Sequence, residues 1–541
     1  MVMRTGRQWD QTADVIVVGS GGAALTAALS AADSGAEVLV VEKEDVVGGT
    51  TGVSGGVLWV PNNDHLAEAG LTDTREDALS YIRRIADGRA LDDSLIEVFV
   101  DTAPEMLRYL EAKTPLRMQL VTNLPDYYVA IRDRIPGCQP FSRSVEPVPY
   151  PARDELGEWA DRIAARSTLL SLGATTTLVE DLAAMGGVSA NLDELARRER
   201  EGIRVKGAAL VACLLKGLLD RGVRIQLSSP ARDLVVDDDG AVVGLAAGAD
   251  GGTRLLGARR GVILACGGFE WNRDMVLGYL GYDVQPLSPG GNTGDGHLMA
   301  MEAGALMGNM WGYWGQGAMF DPAVTLPDGR PAAQMMTGLG PGSVIVNGHG
   351  RRFMHGGYTY NDFPKPFGNF DQDYPGFPNR PPGWVIFGAS VKERQPILTM
   401  RPGEPAPEWL AQADTVRELA ERIGIDPDVL EETVNRFNEH AGRGEDPDWN
   451  SPMPRPVEGP PYYAIEQWPA SLGTNGGCRI NADGQVLGHR RTVIDGLYAA
   501  GNTSAAVLGG AYVGGGTPIC SGATFGLLAG RHAASQTPRS V

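Results

Sequence analysis

Apolar and polar positions near the start of the chain follow the pattern of an α/β unit. The β-branched run Val15–Val18 ends at Gly19, an alanine-rich stretch of helical character follows, and a second apolar run, Val38–Val41, comes after Gly35. A strand, a helix and a strand within about thirty residues are typical of the βαβ element of a parallel sheet. The pattern therefore predicts an α/β domain in this part of the chain.

Similar patterns return much later in the sequence. An apolar run at 262–266 ends in a pair of glycines, residues 292–305 combine a glycine-acid turn with a helix, and residues 494–534 contain a strand, a turn and a helix. These segments have the character of one sheet domain although they are far apart in the chain. We therefore expect this domain to be assembled from residues 1–280 and 456–541.

The composition changes between residues 281 and 455. Aromatic residues, prolines and glycines gather at 311–386, and residues 413–441 have the pattern of two amphipathic helices divided at Asp426. Before this region, residues 224–248 predict two short strands that form a small β-layer over the sheet. We interpret residues 281–455 as an α+β domain that is inserted into the first domain and encloses a substrate.

Composition and charge exclude several classes of function. The formal net charge of −19, with no strongly basic segment, argues against nucleic acid or an anionic membrane as a partner. Five widely spaced cysteines without a CxxC pair argue against a disulfide scaffold or a cysteine-rich metal site and suit a reducing compartment. The sequence lacks a signal-peptide pattern and an apolar run of about 18 residues. A cytoplasmic protein without a membrane span or a metal site is expected.

The first predicted strand leads into a turn of the type that binds dinucleotides. In Gly19-x-Gly21-x-x-Ala24, the first glycine allows a tight turn, the second lets the backbone approach a pyrophosphate, and the small third residue lets the helix pack on the strand. Glu42 follows at the distance where an acid can bind a ribose 2′-hydroxyl, which favours FAD or NAD over NADP. The cofactor contacts predicted here are Gly19, Gly21, Gly22, Ala23, Ala24, Glu42 and Lys43.

A second glycine-rich loop, residues 48–63, favours FAD over NAD. A nicotinamide enzyme does not need such a loop at this place, whereas in a flavoprotein the isoalloxazine ring lies flat against backbone. The contacts predicted in this loop are Gly49, Thr50, Thr51, Ser54, Gly55 and Gly56. Those predicted in the later segments are Gly267, Gly268, Asn292, Asp295, Gly501, Asn502 and Thr517.

With these motifs the chain resembles the flavoprotein family of fumarate reductase, succinate dehydrogenase and the 3-ketosteroid dehydrogenases. The resemblance implies a Rossmann-like FAD-binding domain with an inserted α+β substrate-capping domain, and an FAD-dependent oxidoreductase that acts on CH–CH groups. In this family, covalent attachment uses a histidine near the second glycine-rich loop, and residues 45–64 contain none. Non-covalent FAD is therefore expected.

The stretch GGAYVGGGTPI at 509–519 separates two branches of that family. Dicarboxylate enzymes need arginines to clamp their substrate, and Tyr512 stands where their arginine would be expected. It resembles instead the Tyr-Ala-Gly-Pro-Gly motif of 3-ketosteroid Δ1-dehydrogenases, although Gly515 replaces the proline. The resemblance implies that the hydroxyl of Tyr512 and the N–H of Gly516 bind a ketone oxygen. Other arginines, such as those at 132 and 352, keep dicarboxylate chemistry open.

The same resemblance implies a base that removes a proton from the substrate. In RRFMHGGYTYNDF (351–363), the family pattern places Tyr360 in this role, whereas Tyr358 is expected to pack in the cap. Its assistant is Tyr127 or Tyr128, with a slight preference for Tyr128. A tyrosine with a pKa near 10 is a weak base at neutral pH, so a second hydroxyl and a desolvated site must help it.

These features together imply FAD-dependent α,β-desaturation of a cyclic ketone, in the first place a 3-ketosteroid. The β-hydride would pass to flavin N5, and an external electron acceptor would reoxidise the flavin. Two alternatives keep the same chemistry: a smaller cyclic ketone such as a cyclohexanone derivative, and the reverse reduction of an enone. Two others change it: fumarate or succinate oxidoreduction, and a flavin subunit that only transfers electrons.

Overall fold

The computed structural model describes residues 3–4, 8–164, 178, 192–249, 252–356, 359–451 and 453–541. Tyr358, expected to pack in the cap, lies outside these residues. Within the described ranges, no helix has both the length and the apolar character needed to cross a membrane.

The centre of the first sheet is the predicted βαβ unit. It consists of the strand Gln11–Val18, the helix Gly22–Asp33 and the strand Val38–Val41, and the two strands pair in parallel from Val15 opposite Val38 onward. All four residues of the second strand are buried, as expected where helices or loops cover both faces of a parallel sheet. This prediction is confirmed.

The first sheet also joins the two ends of the chain. The strand Gly252–Leu264 pairs in parallel with Gln11–Val18 on one side and with Val493–Ala499 on the other. The predicted assembly of one sheet from distant segments is therefore present. In the described part of the chain the sheet has nine strands, and the others are Met3–Arg4, Arg224–Gln226, Ala231–Val236, Val242–Ala249 and Gln485–Leu487.

The two strands predicted as a separate β-layer belong to this sheet instead. Ala231–Val236 pairs with Val242–Ala249, which in turn pairs antiparallel with the first half of Gly252–Leu264. The last of these strands is 13 residues long, so its first half can extend the sheet while its second half occupies the parallel centre. The hairpin is correctly predicted, but its placement as a layer of its own is wrong.

The C-terminal helix, Thr517–Ser535, packs closely along the helix Gly22–Asp33. A Cβ atom at Gly530 would lie 2.2 Å from the carbonyl oxygen of Ala27, so only a glycine allows this approach. Further helices of the described chain are Gly49–Val53, Asp64–Glu68, Arg75–Ala86, Ser94–Lys113, Ala152–Leu156, Leu192–Glu201, Lys206–Asp220 and Asp295–Glu302.

A second sheet is built around the long strand Tyr462–Thr474. It pairs antiparallel with Tyr313–Thr325 on one side and with Gly383–Gly388 on the other. The predicted boundary at residue 455 would cut this strand from its sheet, so the second sheet extends to residue 474. Further strands of this sheet are Gln285–Pro286, Pro331–Met335, Ser343–Val346 and Ala411–Ala413.

Two helices cover part of the second sheet. Val416–Ile423 and Pro427–Ala441 share a buried apolar cluster with strand residues such as Ile386. The carboxylate of Asp426 accepts hydrogen bonds from the first backbone amides of the second helix, which begins with a proline. The predicted pair of helices and their division at this residue are confirmed.

Candidate active site

A cavity of about 510 Å³ lies at the carboxyl ends of the central strands of the first sheet. Val18 and Val41, the last residues of two of these strands, are part of its wall, and residues of the second sheet, such as Trp314, complete it. This edge of a parallel sheet is where ligands bind in doubly wound folds. The predicted cofactor residues that line the cavity are Gly19, Gly21, Gly22, Ala23, Glu42, Lys43, Gly49, Thr50, Thr51, Ser54, Gly55, Gly56, Gly267, Asn292, Asp295, Gly501 and Asn502.

Three predicted cofactor residues lie behind the cavity wall. Ala24 is fully buried in its helix. Gly268 packs against Thr474, whose hydroxyl oxygen would lie 2.3 Å from a Cβ atom at that glycine. The hydroxyl of Thr517 donates to the carbonyl of Gly514 at 2.8 Å and so closes the turn before the C-terminal helix. These residues shape the wall without lining it.

The turn after the first central strand has the geometry of a phosphate cradle. Gly19 has a φ of +103°, and a Cβ atom there would lie 2.5 Å from the carbonyl oxygen of Ala265, so the position requires glycine. Gly21, which precedes the next helix, provides no side-chain cap. The amide of Gly22 donates to the hydroxyl of Thr51 at 3.0 Å. The positive end of the helix still faces the cavity through Gly22 and Ala23, and this arrangement fits the pyrophosphate of FAD.

Glu42 occupies the place expected for a ribose contact. Its carboxylate accepts hydrogen bonds from the hydroxyl of Ser20 at 2.6 Å and from the amide of Glu44 at 3.0 Å. Burial raises the pKa of this carboxyl group. Lys43, its neighbour in sequence, donates to Asp295 at 2.8 Å. The carboxylate of Glu42 and the paired amine of Lys43 both line the cavity, and their chemistry suits the hydroxyl and phosphate groups of a nucleotide.

Three tyrosine hydroxyls meet in the same cavity. Tyr127 donates a hydrogen bond to Tyr360 at 2.8 Å, and Tyr360 donates to Tyr512 at 2.7 Å. The three ring centroids are 5.4–5.5 Å apart, and the rings pack edge to face. All three residues line the cavity. The fold therefore brings together side chains that are more than a hundred positions apart in the sequence.

The surroundings of these hydroxyls keep them protonated in the resting protein. Burial raises the pKa of Tyr127, Tyr360 and Tyr512 well above the ordinary value for tyrosine, since a phenolate would be poorly solvated there. In Tyr512 a backbone hydrogen bond from Gly516 acts in the opposite direction. At rest the three hydroxyls are therefore hydrogen-bond donors. Ionisation of any one of them requires a neighbouring donor that stabilises the phenolate.

Gly516 combines two features that exclude any other residue. Its φ is +93°, and a Cβ atom would lie 2.1 Å from the carbonyl oxygen of Val57. It directly precedes the helix Thr517–Ser535, and both Gly516 and Tyr512 line the cavity. A backbone amide and a phenol hydroxyl are the types of donor from which an oxyanion hole is built.

Tyr128 does not contact the other tyrosine hydroxyls. Its own hydroxyl donates to both carboxylate oxygens of Asp362, at 2.8 and 3.0 Å, and the residue is absent from the cavity lining within the described chain. The slight sequence preference for Tyr128 as assistant of Tyr360 does not match this geometry, which brings Tyr127 to that hydroxyl instead. Two adjacent tyrosines cannot be distinguished by spacing alone.

A buried polar network holds the tyrosine segments from behind. The carbonyl of Val513, next to Tyr512, accepts hydrogen bonds from the hydroxyl of Tyr81 at 2.6 Å and from the amide of Tyr127 at 3.2 Å. The carboxylate of Asp126 accepts from the fully buried Arg143 at 2.6 Å. These bonds join the loop that carries Tyr127 to the loop that carries Tyr512.

Sequence reasoning missed several residues of the cavity. Ser20 lines the cavity and donates to Glu42, and its position between the two motif glycines Gly19 and Gly21 is the signal in the sequence that could have identified it. Trp314 donates its indole N–H to Asn502 at 2.9 Å, and its ring centroid lies 5.5 Å from that of Tyr512. Leu124 and Leu472 add apolar wall. No local motif signals the last three, because tertiary packing alone brings them here.

The two arginines that left dicarboxylate chemistry as an alternative, Arg132 and Arg352, do not line the cavity. Arg352 forms a double hydrogen bond with Asp446 at 2.8 and 2.9 Å and stacks over the ring of Phe437. Arg132 is exposed on a short helical turn. Of the described residues that line the cavity, the only cation is Lys43, which is paired with an aspartate. No arginine clamp faces the cavity from the described chain.

Comparison with known proteins gives one consistent result. The FAD binding domain family matches residues 14–519. The chain is 36% identical to a 3-oxosteroid 1-dehydrogenase of Mycobacterium tuberculosis, over 97% of this chain and 99% of the relative. It is 35% identical to a 4-oxocyclohexanecarboxylate 2-dehydrogenase of Sinomonas cyclohexanicum, over 97% of this chain and 93% of the relative.

A solved structure agrees with these sequence matches. The crystal structure of 3-ketosteroid Δ1-dehydrogenase from Sterolibacterium denitrificans, in complex with 1,4-androstadiene-3,17-dione, superimposes with a TM-score of 0.86. The two sequences are 30% identical, and the match covers 97% of this chain and 100% of the other. The two sheets thus have the arrangement of the steroid dehydrogenase and fumarate reductase type of flavoenzyme.

Proposed function

We propose that this chain desaturates a cyclic ketone beside its carbonyl, in the first place a 3-ketosteroid. The chain belongs to the FAD binding domain family and is an FAD-dependent oxidoreductase acting on CH–CH groups. The observation that carries the proposal is the hydrogen-bonded group of Tyr127, Tyr360 and Tyr512 inside the cavity. Relatives named for a ketosteroid and for an oxocyclohexane acid support ketone chemistry.

Tyr512 and the backbone amide of Gly516 polarise the ketone oxygen. In the hydroxyl chain, Tyr512 is the last acceptor, so its own proton is free to be donated to a substrate oxygen. As the α-proton leaves, negative charge develops on that oxygen, and two neutral donors in a dry site stabilise it. The raised pKa of Tyr512 keeps its proton in place for this role.

Tyr360 removes the α-proton with the help of Tyr127. The hydroxyl of Tyr127 donates to that of Tyr360, so it stabilises the phenolate that must form before the proton is taken. Burial makes this phenolate costly, and it also leaves the ion a strong base once formed. Desolvation and the second hydroxyl thus act together on one oxygen atom.

FAD, when bound, supplies the acceptor of the β-hydride at flavin N5. The cradle at Gly19, Glu42 and the amides at the start of the helix Gly22–Asp33 would hold its pyrophosphate and ribose. We infer that the attachment is non-covalent. His65, the histidine nearest to the second glycine-rich loop, contacts Glu111 and is not part of the described cavity lining.

The region of the second sheet is proposed to cover the substrate, as an α+β cap inserted in the FAD-binding domain. It contributes Tyr360, Trp314 and Leu472 to the cavity wall. The leucine and the indole offer apolar surface, which suits a ring ketone and not a dicarboxylate. A smaller cyclic ketone fits the same donors and the same base, and so does the reverse reduction of an enone.

A panel of substrates tests this proposal. The protein with bound FAD is mixed without oxygen with 3-ketosteroids, cyclohexanones, 4-oxocyclohexanecarboxylate and succinate, and bleaching of the flavin absorbance is followed. We expect bleaching by cyclic ketones, and a decrease in kcat of at least about a hundredfold in Tyr512→Phe with the flavin spectrum intact. Bleaching by succinate alone would overturn the proposal. The reverse reaction is measured with reduced flavin and a cyclic enone.

A further inference from the structure

We propose that Tyr128 and Asp362 form a latch that positions Tyr360, so that Tyr128 is a positioning residue and takes no part in the chemistry; this rests on the proposed function. The hydrogen bond between them joins two segments of the chain. One is the loop after Leu120, which carries Tyr127 and Tyr128, and the other belongs to the second-sheet region and carries Tyr360 and Asp362. The latch is a hydrogen bond between a buried phenol and a carboxylate.

The geometry shows two parallel links between the same two segments. Adjacent residues on one segment, Tyr127 and Tyr128, donate to residues two positions apart on the other, Tyr360 and Asp362. The first link lies in the cavity wall, whereas the second joins residues that do not line it. The second link can therefore persist while the first takes part in catalysis.

The hydrogen bond of the latch is of a strong type. Both carboxylate oxygens of Asp362 lie within 3.0 Å of the hydroxyl of Tyr128, which is 9% exposed. A hydrogen bond to a charged acceptor is stronger than one between neutral groups. Burial and the neighbouring carboxylate raise the pKa of Tyr128, so it remains a donor. The exposed side chain of Lys365 forms an ion pair with the same carboxylate.

The segment of Tyr360 needs an anchor that does not depend on reacting hydroxyls. On one side, the side-chain oxygen of Asn361 accepts from the amide of Gly315 at 2.8 Å, which ties the segment to the second sheet. Toward the first sheet, the hydroxyl of Tyr360 forms hydrogen bonds with the hydroxyls of Tyr127 and Tyr512, which both belong to the proposed reacting group. The hydroxyl of Tyr360 must break its hydrogen bond with Tyr512 to reach the α-carbon of the substrate. The latch then keeps the segment of Tyr360 at a fixed distance from the loop of Tyr127.

The test uses Tyr128→Phe, Asp362→Asn and the double variant, all loaded with FAD. Each single variant should lower kcat about tenfold with KM changed less than twofold, as expected when a hydrogen bond to a charged group is lost. Tyr128→Phe removes the bond, and Asp362→Asn replaces its charged acceptor by a weaker, neutral one. Because both substitutions act on the same bond, the double variant should be no slower than Tyr128→Phe alone. Exchange of the substrate α-proton with solvent deuterium should slow by the same factor as kcat.

Tyr150→Phe is the matched control. This tyrosine is 7% exposed, and its hydroxyl has no hydrogen-bond partner among the described residues, so kcat should stay at the wild-type value. Multiplied effects in the double variant, or unchanged α-proton exchange in both single variants, would overturn the latch. If Tyr128→Phe does not fold, as judged by its flavin spectrum and circular dichroism, Asp362→Asn alone decides. Absence of exchange in the wild-type protein with every ketone would instead refute the proposed function, and the latch with it.

Discussion

The phosphate cradle and the tyrosine group share one cavity but are built on different principles. The cradle consists of backbone and of glycines that lie close together in sequence, with Gly19 packed against a neighbouring strand end. The tyrosine group consists of three hydroxyls from segments that meet only in the folded chain. At Gly19 the backbone site has no room for an added atom, whereas a site made of side chains depends on how its segments are held.

The difference also concerns the kind of damage a substitution causes. In the cradle, a methyl group at Gly19 would collide with backbone that cannot move. In the tyrosine group, loss of a hydroxyl leaves the ring packing intact, because the rings contact each other edge to face. Cofactor binding and catalytic rate should therefore respond to separate substitutions, and four predictions follow that difference from the largest effect to the smallest.

Gly19→Ala should abolish FAD binding. The residue has a φ of +103°, and a Cβ atom would lie 2.5 Å from the carbonyl oxygen of Ala265, so the turn must open. The ratio of flavin to protein absorbance after purification measures the result. Gly35→Ala is the control, because this glycine also has a positive φ but nothing lies within 4 Å of its added Cβ atom. FAD retained in full by Gly19→Ala would contradict the cradle.

Tyr360→Phe should lower kcat by about 10²–10⁴ while FAD stays bound, since the base is removed and the ring remains. Turnover with the best ketone of the panel and exchange of its α-proton with solvent deuterium measure the effect. Tyr150→Phe serves again as a substitution that leaves the site intact. Exchange at the wild-type rate in Tyr360→Phe would mean that another group takes the proton.

The rate should rise with pH across the range from about 7 to 10. Tyr360 must be ionised to accept a proton, and burial raises its pKa well above 10. Below that pKa the ionised fraction increases about tenfold per pH unit, so kcat should increase with the same slope while proton removal limits the rate. The pH profile of kcat for wild type measures this. A plateau already present at neutral pH would contradict a tyrosine base with a raised pKa.

Gly515→Ala should change kcat by less than about threefold. Its Cβ atom would lie 2.6 Å from the end of the Leu124 side chain, which can move, and 3.5 Å from the hydroxyl of Tyr127. Gly514→Ala is the contrasting variant, because its Cβ atom would lie 2.2 Å from the buried ring of Trp59. It should lower the free energy of unfolding by about 1–3 kcal/mol. Denaturant titrations and kcat of both variants test the pair.

The cradle could be predicted from the sequence better than the tyrosine group, because its residues lie close together along the chain. The cradle is visible in the sequence because Gly19, Gly21 and Glu42 occur at a spacing set by one strand, one turn and one helix. The role of Tyr127 could not be separated from that of Tyr128, because adjacent side chains in a loop point in directions that only the surrounding contacts define. The predicted boundary at residue 455 separates the strand Tyr462–Thr474 from its sheet, because its partner strands end at least about fifty residues earlier in the chain.

The sequence by itself determined the local elements of this protein, which are the βαβ unit and the glycine turns, including the turn that carries Tyr512. Periodicity and steric demands act over a few residues, so they can be interpreted along the chain. The tertiary structure alone decided which hydroxyls meet, that Tyr128 faces Asp362, and that Trp314 completes the wall. These contacts depend on packing between distant segments, for which no local pattern carries a signal.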